Sequence, residues 1–310
     1  MTTKILQSPL NYTGGKYRLL PRLLPLFPKN INSFLDLFCG GCNVGLNVTC
    51  NHVIFNDSNE NLISLYKTFG KLGVELVLEK IYNIISKYEL SLVSLNGYSY
   101  YGCKSATGLG KYNKERYSKL RNDLNNRRKL GILDDNYFIM LYVLIVYAFN
   151  NQIRFNSKGE FNLPVGKRDF SKKIEQKLCS FIDMIQNDNV SFTCRDFRNF
   201  NISDLSSQDF VYVDPPYLIT CATYNEQGGW NEQYEKELLS FLDNLDNNHI
   251  RFALSNVLRS KGKENKILID WLDKNYKRFK TTFFDFSYAN SNYQTKDKSS
   301  VSEEILVTNY

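Results

Sequence analysis

Histidine is nearly absent from this chain. There are 2 in 310 residues, His52 and His249, and neither belongs to an HExxH or a paired-histidine spacing. Metal-assisted hydrolysis and Ser-His catalysis therefore find no support. No stretch approaches the ~20 apolar residues of a membrane span. The longest apolar run, 137–149, is too short and reads as a buried helix. The first residues, MTTKILQSPLNYTGGK, lack the apolar core of a signal peptide. Cysteine numbers 7, odd and scattered, which points to reduced thiols in a cytoplasm instead of a disulfide frame. Cys39 and Cys42 form a CxxC, but it has no second pair for zinc and no Pro or aromatic neighbours for a redox role. They read as small residues in a tight turn. Internal repeats and low-complexity tracts are also missing.

What remains is an ordinary globular composition, 43% hydrophobic and 23% charged, with 21 Tyr and 21 Phe. The net charge is +7. Its distribution matters more than its size. Residues 104–129 hold nine Lys or Arg against two acids, Glu115 and Asp123, a surplus equal to that of the whole chain. A solvated helix face usually mixes signs, so this stretch favours a polyanionic partner.

Along the chain, 33–38 reads as a strand, 39–45 as a glycine-rich turn and the residues to about 48 as a short helix. A second strand, 52–55, ends at Asn56-Asp57. Apolar spacing predicts helices over 59–69 and 74–88, helical character over 114–129 and the buried helix over 137–149. Residues 152–163 read as a hairpin with its turn at Ser157-Lys158-Gly159. Strands are expected at 190–193, 210–213, 251–254, 280–286 and 304–308, with helices at 231–243 and 264–276. Strand–helix alternation at both ends implies an α/β fold with a parallel-type sheet and helices on both faces. The basic middle reads as an insertion.

Three segments carry chemistry. The strand Phe210-Val-Tyr-Val213 ends in Asp214-Pro215-Pro216-Tyr217. Open α/β sheets place ligands at the carboxyl ends of their strands. Two prolines stiffen the corner and carry no N–H. A carboxylate, uncommitted carbonyls and an aromatic face suit a planar base bearing an amine. The second segment, Phe38-Cys-Gly-Gly-Cys-Asn-Val-Gly45, lies between strand and helix, where glycines let the backbone approach a ligand. Asp57, at the tip of the second strand, stands where a ribose diol is bound in such sheets. The third, Asn11-Tyr-Thr-Gly-Gly-Lys16, places Tyr12 and Lys16 before a helix.

Taken together, NYTGGK, DLFCGGCNVG, FND, RFNSKGEFNLP and DPPY, in that order, resemble the Dam-type (alpha order) adenine-N6 DNA methyltransferases. The resemblance implies a seven-stranded, Rossmann-like S-adenosyl-L-methionine-dependent methyltransferase sheet with an inserted, mainly helical DNA-recognition domain bearing a β-hairpin. It implies a catalytic domain over 1–65 and 171–310 and a recognition insert over 66–170. Tyr12, Lys16, Phe38, Gly40, Asp57 and Asp214 look like cofactor contacts, and Asp214, Pro215, Pro216 and Tyr217 look like the catalytic set. Arg154 and Pro164 match positions that touch recognised bases. Gln152 and Asn156 lie in the same hairpin, and Arg116, Arg121, Arg127 and Arg128 in the basic stretch are candidate phosphate contacts.

The implied partner is double-stranded DNA, with no metal and no membrane. A cognate restriction endonuclease acting separately is a further expectation, as is a bacterial or phage-encoded cytoplasmic setting. The related readings are an RNA adenine methyltransferase and a catalytically inactive nucleic-acid-binding protein. The chain departs from the family's usual FxGxG turn at Cys42, with Gly41 beside it. Gln152 stands where Dam has an apolar residue.

Overall fold

A computed structural model describes residues 5–220, 229–286 and 302–310. The chain divides into two compact units. One comprises residues 25–39, 48–58 and 193–310, the other 1–24, 40–47 and 59–192.

The first unit is a sheet covered by helices. Its strands are β1 (Ser33–Asp36), β2 (His52–Asn56), β4 (Phe210–Val213), β5 (Arg251–Ser260), β6 (Lys263–Glu264), β7 (Lys280–Phe286) and β8 (Ser302–Thr308). A further strand, β3 (Val190–Thr193), ends in this unit with Thr193. Within the unit the order is β2-β1-β4-β5-β8-β7, with β6 beside β5. β1 runs parallel to β2 and to β4, and β4 parallel to β5. β8 is antiparallel to both β5 and β7. The α/β architecture expected from strand–helix alternation is present, but the sheet is mostly and not wholly parallel, because β8 pairs antiparallel on both sides.

The four residues of β4 are all fully buried, so the strand is apolar throughout instead of alternating. Helices α7 (Glu232–Asn247) and α8 (Lys266–Lys274) pack Leu238, Leu242, Leu268 and Trp271 into the core with Val211, Val213, Leu254 and Ile305. Each large apolar side chain buried this way is worth about 1.5–3 kcal/mol. Both helices start on an asparagine cap. Asn231 accepts from the Tyr234 N–H and Asn265 from the Leu268 N–H.

At the amino ends of β1 and β4 a buried carboxylate sets the register. Asp209 Oδ1 accepts from Ser33 N–H at 2.7 Å and Asn32 Nδ2 at 3.1 Å, and its Oδ2 from Ser206 N–H at 2.7 Å and Oγ at 2.8 Å. β5 is longer than the 251–254 expected. It continues to Ser260 and turns back into β6 through Lys261 and Gly262, both at positive φ (49° and 74°), the backbone of a tight hairpin.

The second unit is helical: α1 (Leu20–Leu23), α2 (Glu60–Lys87), α3 (Val93–Tyr100), α4 (Ala106–Lys129), α5 (Asp135–Tyr147) and α6 (Lys172–Ile185). α5 is buried from Tyr137 to Tyr147, so it is apolar on every face. The two helices expected at 59–69 and 74–88 form one element interrupted at Gly73, whose φ of 73° breaks the helical path. The basic helix starts eight residues earlier than its charges suggested, at Ala106.

Two expectations are corrected. The helix expected after the glycine turn is only a 3-10 turn, Gly45–Asn47. Its asparagines turn inward: Asn47 Nδ2 donates to Asn43 O and Leu6 O, and Asn43 Oδ1 accepts from Ser8 N–H. Such side-chain bonds compete with helix continuation. The 152–163 hairpin has no continuous ladder. It is held by single bridges, Phe155↔Phe161 and Ala148↔Val165. Asn156 Oδ1 closes its turn by accepting from Lys158 and Glu160 N–H groups.

Candidate active site

In the sheet unit, three chain segments emerge side by side at the carboxyl ends of adjacent parallel strands. Leu37 N–H donates to Tyr212 O at 3.0 Å, which carries the β1–β4 pairing to the end of both strands. Cys39 N–H donates to Asn56 O at 2.8 Å. Asn56 Nδ2 then donates to Leu37 O (2.9 Å) and Arg195 O (3.0 Å), and Asp57 N–H to Thr193 O (3.4 Å). Asn56 is 1% exposed, so its side chain acts as a buried staple for this rim. Phe38, Asp57 and Asp214 are thereby fixed just beyond β1, β2 and β4. β1 has β2 on one side and β4 on the other, so the strand order reverses here. Open α/β sheets bind ligands at that reversal.

Phe38 is one face of an aromatic group. Its ring centroid lies 5.6 Å from Phe197 and 5.7 Å from Trp230. Trp230 Nε1–H donates to buried Glu235, which Asn265 and Asn256 also hold. Burial pushes the Glu235 carboxyl up, against those three hydrogen bonds. At the acidic corner Pro215 is buried and Pro216 exposed. Tyr217 O–H donates to Asp214 Oδ1 at 3.0 Å.

Beneath the corner, Tyr212 is fully buried and its hydroxyl pairs with Ser255 Oγ at 2.8 Å. Burial holds this phenol well above its ordinary value. The charges of Asp214, Asp36 and Glu304 push it the same way, against the Ser255 bond. Three acidic side chains, Asp36, Asp214 and Glu304, thus stand close to Tyr212.

In the helical unit, two glycine segments far apart in sequence meet. A Cβ on Gly40 would lie 2.8 Å from two atoms of the Tyr12 ring, and Gly40 has a φ of 44°. A Cβ on Gly41 would lie 3.1 Å from Tyr12 Cβ. At Gly40 the left-handed backbone and the close ring together favour glycine. Tyr66 O–H donates to Gly40 O at 2.8 Å. Lys16 is 2% exposed and its Nζ donates to Gly14 O at 3.0 Å. Cys42, the departure from FxGxG, has a φ of 61° and is buried. The backbone therefore keeps a left-handed residue there even though the side chain is not hydrogen.

The arginines of the basic stretch are largely engaged inside the helical unit. Arg121 Nη1 donates to Leu163 O, Arg127 pairs with Asp134 at 2.7 Å, and Arg128 donates to Asn61 and Tyr137 while lying over Phe155. Arg116 stacks 4.1 Å over Tyr112 and donates to the Tyr112 carbonyl. Lys104, Lys111, Lys114, Lys119 and Lys129 are the exposed cations of this segment. Arg154 is exposed, with Nε donating to Asn162 Oδ1 at 2.8 Å. Gln152 Nε2 donates to Thr13 Oγ1 at 3.2 Å. Pro164 is exposed, and its carbonyl accepts from Phe149 N–H. Sequence reasoning passed over Phe197, Trp230 and Glu304, because none belongs to a spaced motif and packing brings each to its place, and it read Asn56 as part of the strand tip and not as a staple.

No disulfide joins the six described cysteines, and Cys221 lies outside the described residues. Among the described residues no helix is long and apolar enough to cross a membrane.

A mostly parallel sheet with acids at its strand reversal is an α/β arrangement consistent with a methyltransferase fold. The chain belongs, more narrowly, to the D12 class N6 adenine-specific DNA methyltransferase family, which it matches over residues 12–296. It is 40% identical over 315 residues to the Type II methyltransferase M.FokI of Planomicrobium okeanokoites and 39% identical over 316 to the modification methylase StsI of Streptococcus sanguinis. Both comparisons cover 100% of this chain and 44% of the relative, so the chain spans less than half the length of either. A DNA adenine methylase of Salmonella typhi is 26% identical over 253 residues, 80% of this chain and 79% of that one.

Proposed function

We propose that this chain transfers a methyl group from S-adenosyl-L-methionine to N6 of an adenine turned out of duplex DNA at a short recognition sequence. The observation that carries the reading is the alignment of Phe38, Asp57 and Asp214 beyond three adjacent parallel strands. The rim fits the donor in two respects. The Asp214 side chain beyond β4 is an acid of the sign that suits a sulfonium, and the Asp57 carboxylate is a half-buried acceptor of the kind a ribose diol needs. Phe38 offers an apolar face in the same row. Tyr12, Lys16 and Gly40, from the helical unit, are assigned to the donor through their places in the family's motifs. The donor, when bound, supplies the methyl group.

The protein's part is positioning. An adenine amino nitrogen is a poor nucleophile because its lone pair is delocalised into the ring. Asp214 and the Pro215 carbonyl accept its N–H hydrogens and bring the nitrogen toward tetrahedral geometry. Asp214 need not be a strong base, because the proton leaves only after the nitrogen has become cationic. Such catalysis rests on orientation and preorganised electrostatics. Turning the base out costs a few kcal/mol, and stacking on Tyr217 returns roughly 1–3 kcal/mol of it.

The exposed lysines of α4 are assigned to phosphates, which hold the duplex without reading sequence. Arg154, Gln152 and Pro164 are assigned to the bases, and residues 66–170 to target recognition. The relatives named as modification enzymes suggest that the product protects DNA from a separate endonuclease.

The test is transfer of radiolabelled methyl to DNA, with the modified base mapped by single-molecule sequencing. Asp214→Ala is expected to abolish transfer while leaving the far-ultraviolet circular dichroism unchanged. Wild-type protein that labels no adenine, or an Asp214→Ala variant with near-normal turnover, overturns the proposal.

A further inference from the structure

Glu304 stands on β8, distant in sequence from every motif discussed above, and it is fully buried. Strand pairing places it opposite Val257 of β5 and Phe284 of β7. Its Oε1 lies 3.5 Å from the Tyr217 hydroxyl, which lies 3.0 Å from Asp214 Oδ1. The one proton of that phenol therefore faces two carboxylates. It can be donated to only one of them at a time.

This geometry becomes useful at the moment a substrate amine arrives. In the structure the shorter bond goes to Asp214, and it occupies one of the two oxygens that the proposed reaction aims at N6–H. A carboxylate shared between the phenol and the amine divides its hydrogen-bonding strength. If the phenol turns its proton to Glu304, Asp214 loses the phenol bond without leaving a hydroxyl proton unmatched. Such stranding carries a penalty in a partly desolvated corner. The Tyr217 ring stays where it is while only its O–H rotates. Its face remains in place for stacking.

Resting on the adenine-methyltransferase reading, we propose that Glu304 is a positioning residue. It serves as the alternative acceptor for the Tyr217 hydroxyl, and so takes the phenol bond off Asp214 Oδ1 when the target amine arrives. It touches neither donor nor base. Its effect passes through Tyr217, and it belongs to the step with substrate in place.

A double-mutant cycle tests this, using the full chain, a duplex substrate and single-turnover methyl transfer. Charged hydrogen bonds are roughly twice as strong as neutral ones. Glu304→Gln is expected to lower the transfer rate about tenfold, with the KM values for DNA and donor changed less than about twofold. Tyr217→Phe removes the proton that is being shared. In that background Glu304→Gln is expected to have less than about a twofold effect. Glu304→Asp, which keeps the charge on a shorter arm, is expected to recover part of the loss.

If the Glu304→Gln and Tyr217→Phe losses multiply, Glu304 does not act through the phenol and the inference fails. It also fails if Glu304→Gln leaves the rate unchanged. A wild-type protein with no transfer at all would instead overturn the underlying reading, so the two failures are distinct. Thermal melting of each variant separates a misfolded protein from a slow one. Should Glu304→Gln be unstable, Tyr217→Phe alone still decides the matter. The idea requires it to lose less than tenfold, because removing the phenol proton also takes the phenol bond off Asp214.

Discussion

Asp209 tests whether the rim depends on a clamp at the opposite end of the strands. Its carboxylate accepts four hydrogen bonds, two from backbone N–H groups of Ser33 and Ser206, and the residue is 4% exposed. Asp209→Ala takes the carboxylate away from both backbone donors, whose bonds to it are partly buried. A donor left unmatched in the interior costs about 1–3 kcal/mol, and partial access to water holds the cost near the lower end, so the expected loss is roughly 2 kcal/mol. That is a large share of the ~5–15 kcal/mol that separates folded from unfolded chains. In a chain of this size it lowers the melting temperature by roughly 4 °C. Asp209→Asn keeps one acceptor oxygen and turns an NH2 toward donors, for a loss of about 1 kcal/mol.

The same group predicts a pH dependence. Burial alone would raise the Asp209 carboxyl. The bonds from Ser206, Ser33 and Asn32 outweigh it and hold the carboxyl below its ordinary value. A depressed carboxylate contributes stability that is fully present above the unfolded value, about pH 4, and is lost as pH falls through the folded one. Urea unfolding from pH 7 down to pH 3 should therefore show a decline below about pH 4 that is shallower in Asp209→Asn. An Asp209→Ala protein that loses less than about 1 kcal/mol, with an unchanged denaturant slope, would refute the clamp.

Gly40→Ala places a methyl 2.8 Å from the Tyr12 ring on a backbone at φ 44°. Left-handed backbone costs a residue other than glycine about 1–2 kcal/mol, and the Tyr12 ring must shift as well. The expected result is a donor KM raised at least about tenfold, read by methyl transfer against donor concentration. An unchanged KM would show that the contact is idle. At Cys42, which is already left-handed and buried, Gly relieves strain but gives up buried sulfur, so Cys42→Gly should stay within about 1 kcal/mol of wild type. Cys42→Val adds a β-branch to the same backbone and should cost at least about 2 kcal/mol in urea unfolding. Equal tolerance of Gly and Val would contradict the strained turn.

Much of the site could be read before folding. The buried run Phe210–Val213 with its Asp-Pro-Pro-Tyr corner predicted a strand end, and Asp214 lies just beyond β4. The tip at Asn56-Asp57 was equally plain, because a short β-branched strand stops at residues that favour turns. The glycine segment was legible as a turn but not as a non-helix. Nothing local announces that Asn43 and Asn47 would bond to residues near the amino end. The basic stretch was legible as charge, yet its arginines fold back onto Leu163, Asp134 and Asn61 and leave the lysines outside. Guanidinium donors find carbonyl and carboxylate partners that composition does not reveal.

Local chemistry alone determined which segments bend, extend or carry an acid, since φ restrictions, apolar runs and proline act over a few residues. Tertiary structure decided everything that depends on loop closure: β4 inserted beside β1, Gly40 pressed on Tyr12, Asn56 stapling three segments, and Glu304 brought to Tyr217 from 87 positions away. Those meetings are selected by burial and hydrogen-bond satisfaction across the whole chain, and neither has a signature in the order of neighbouring residues.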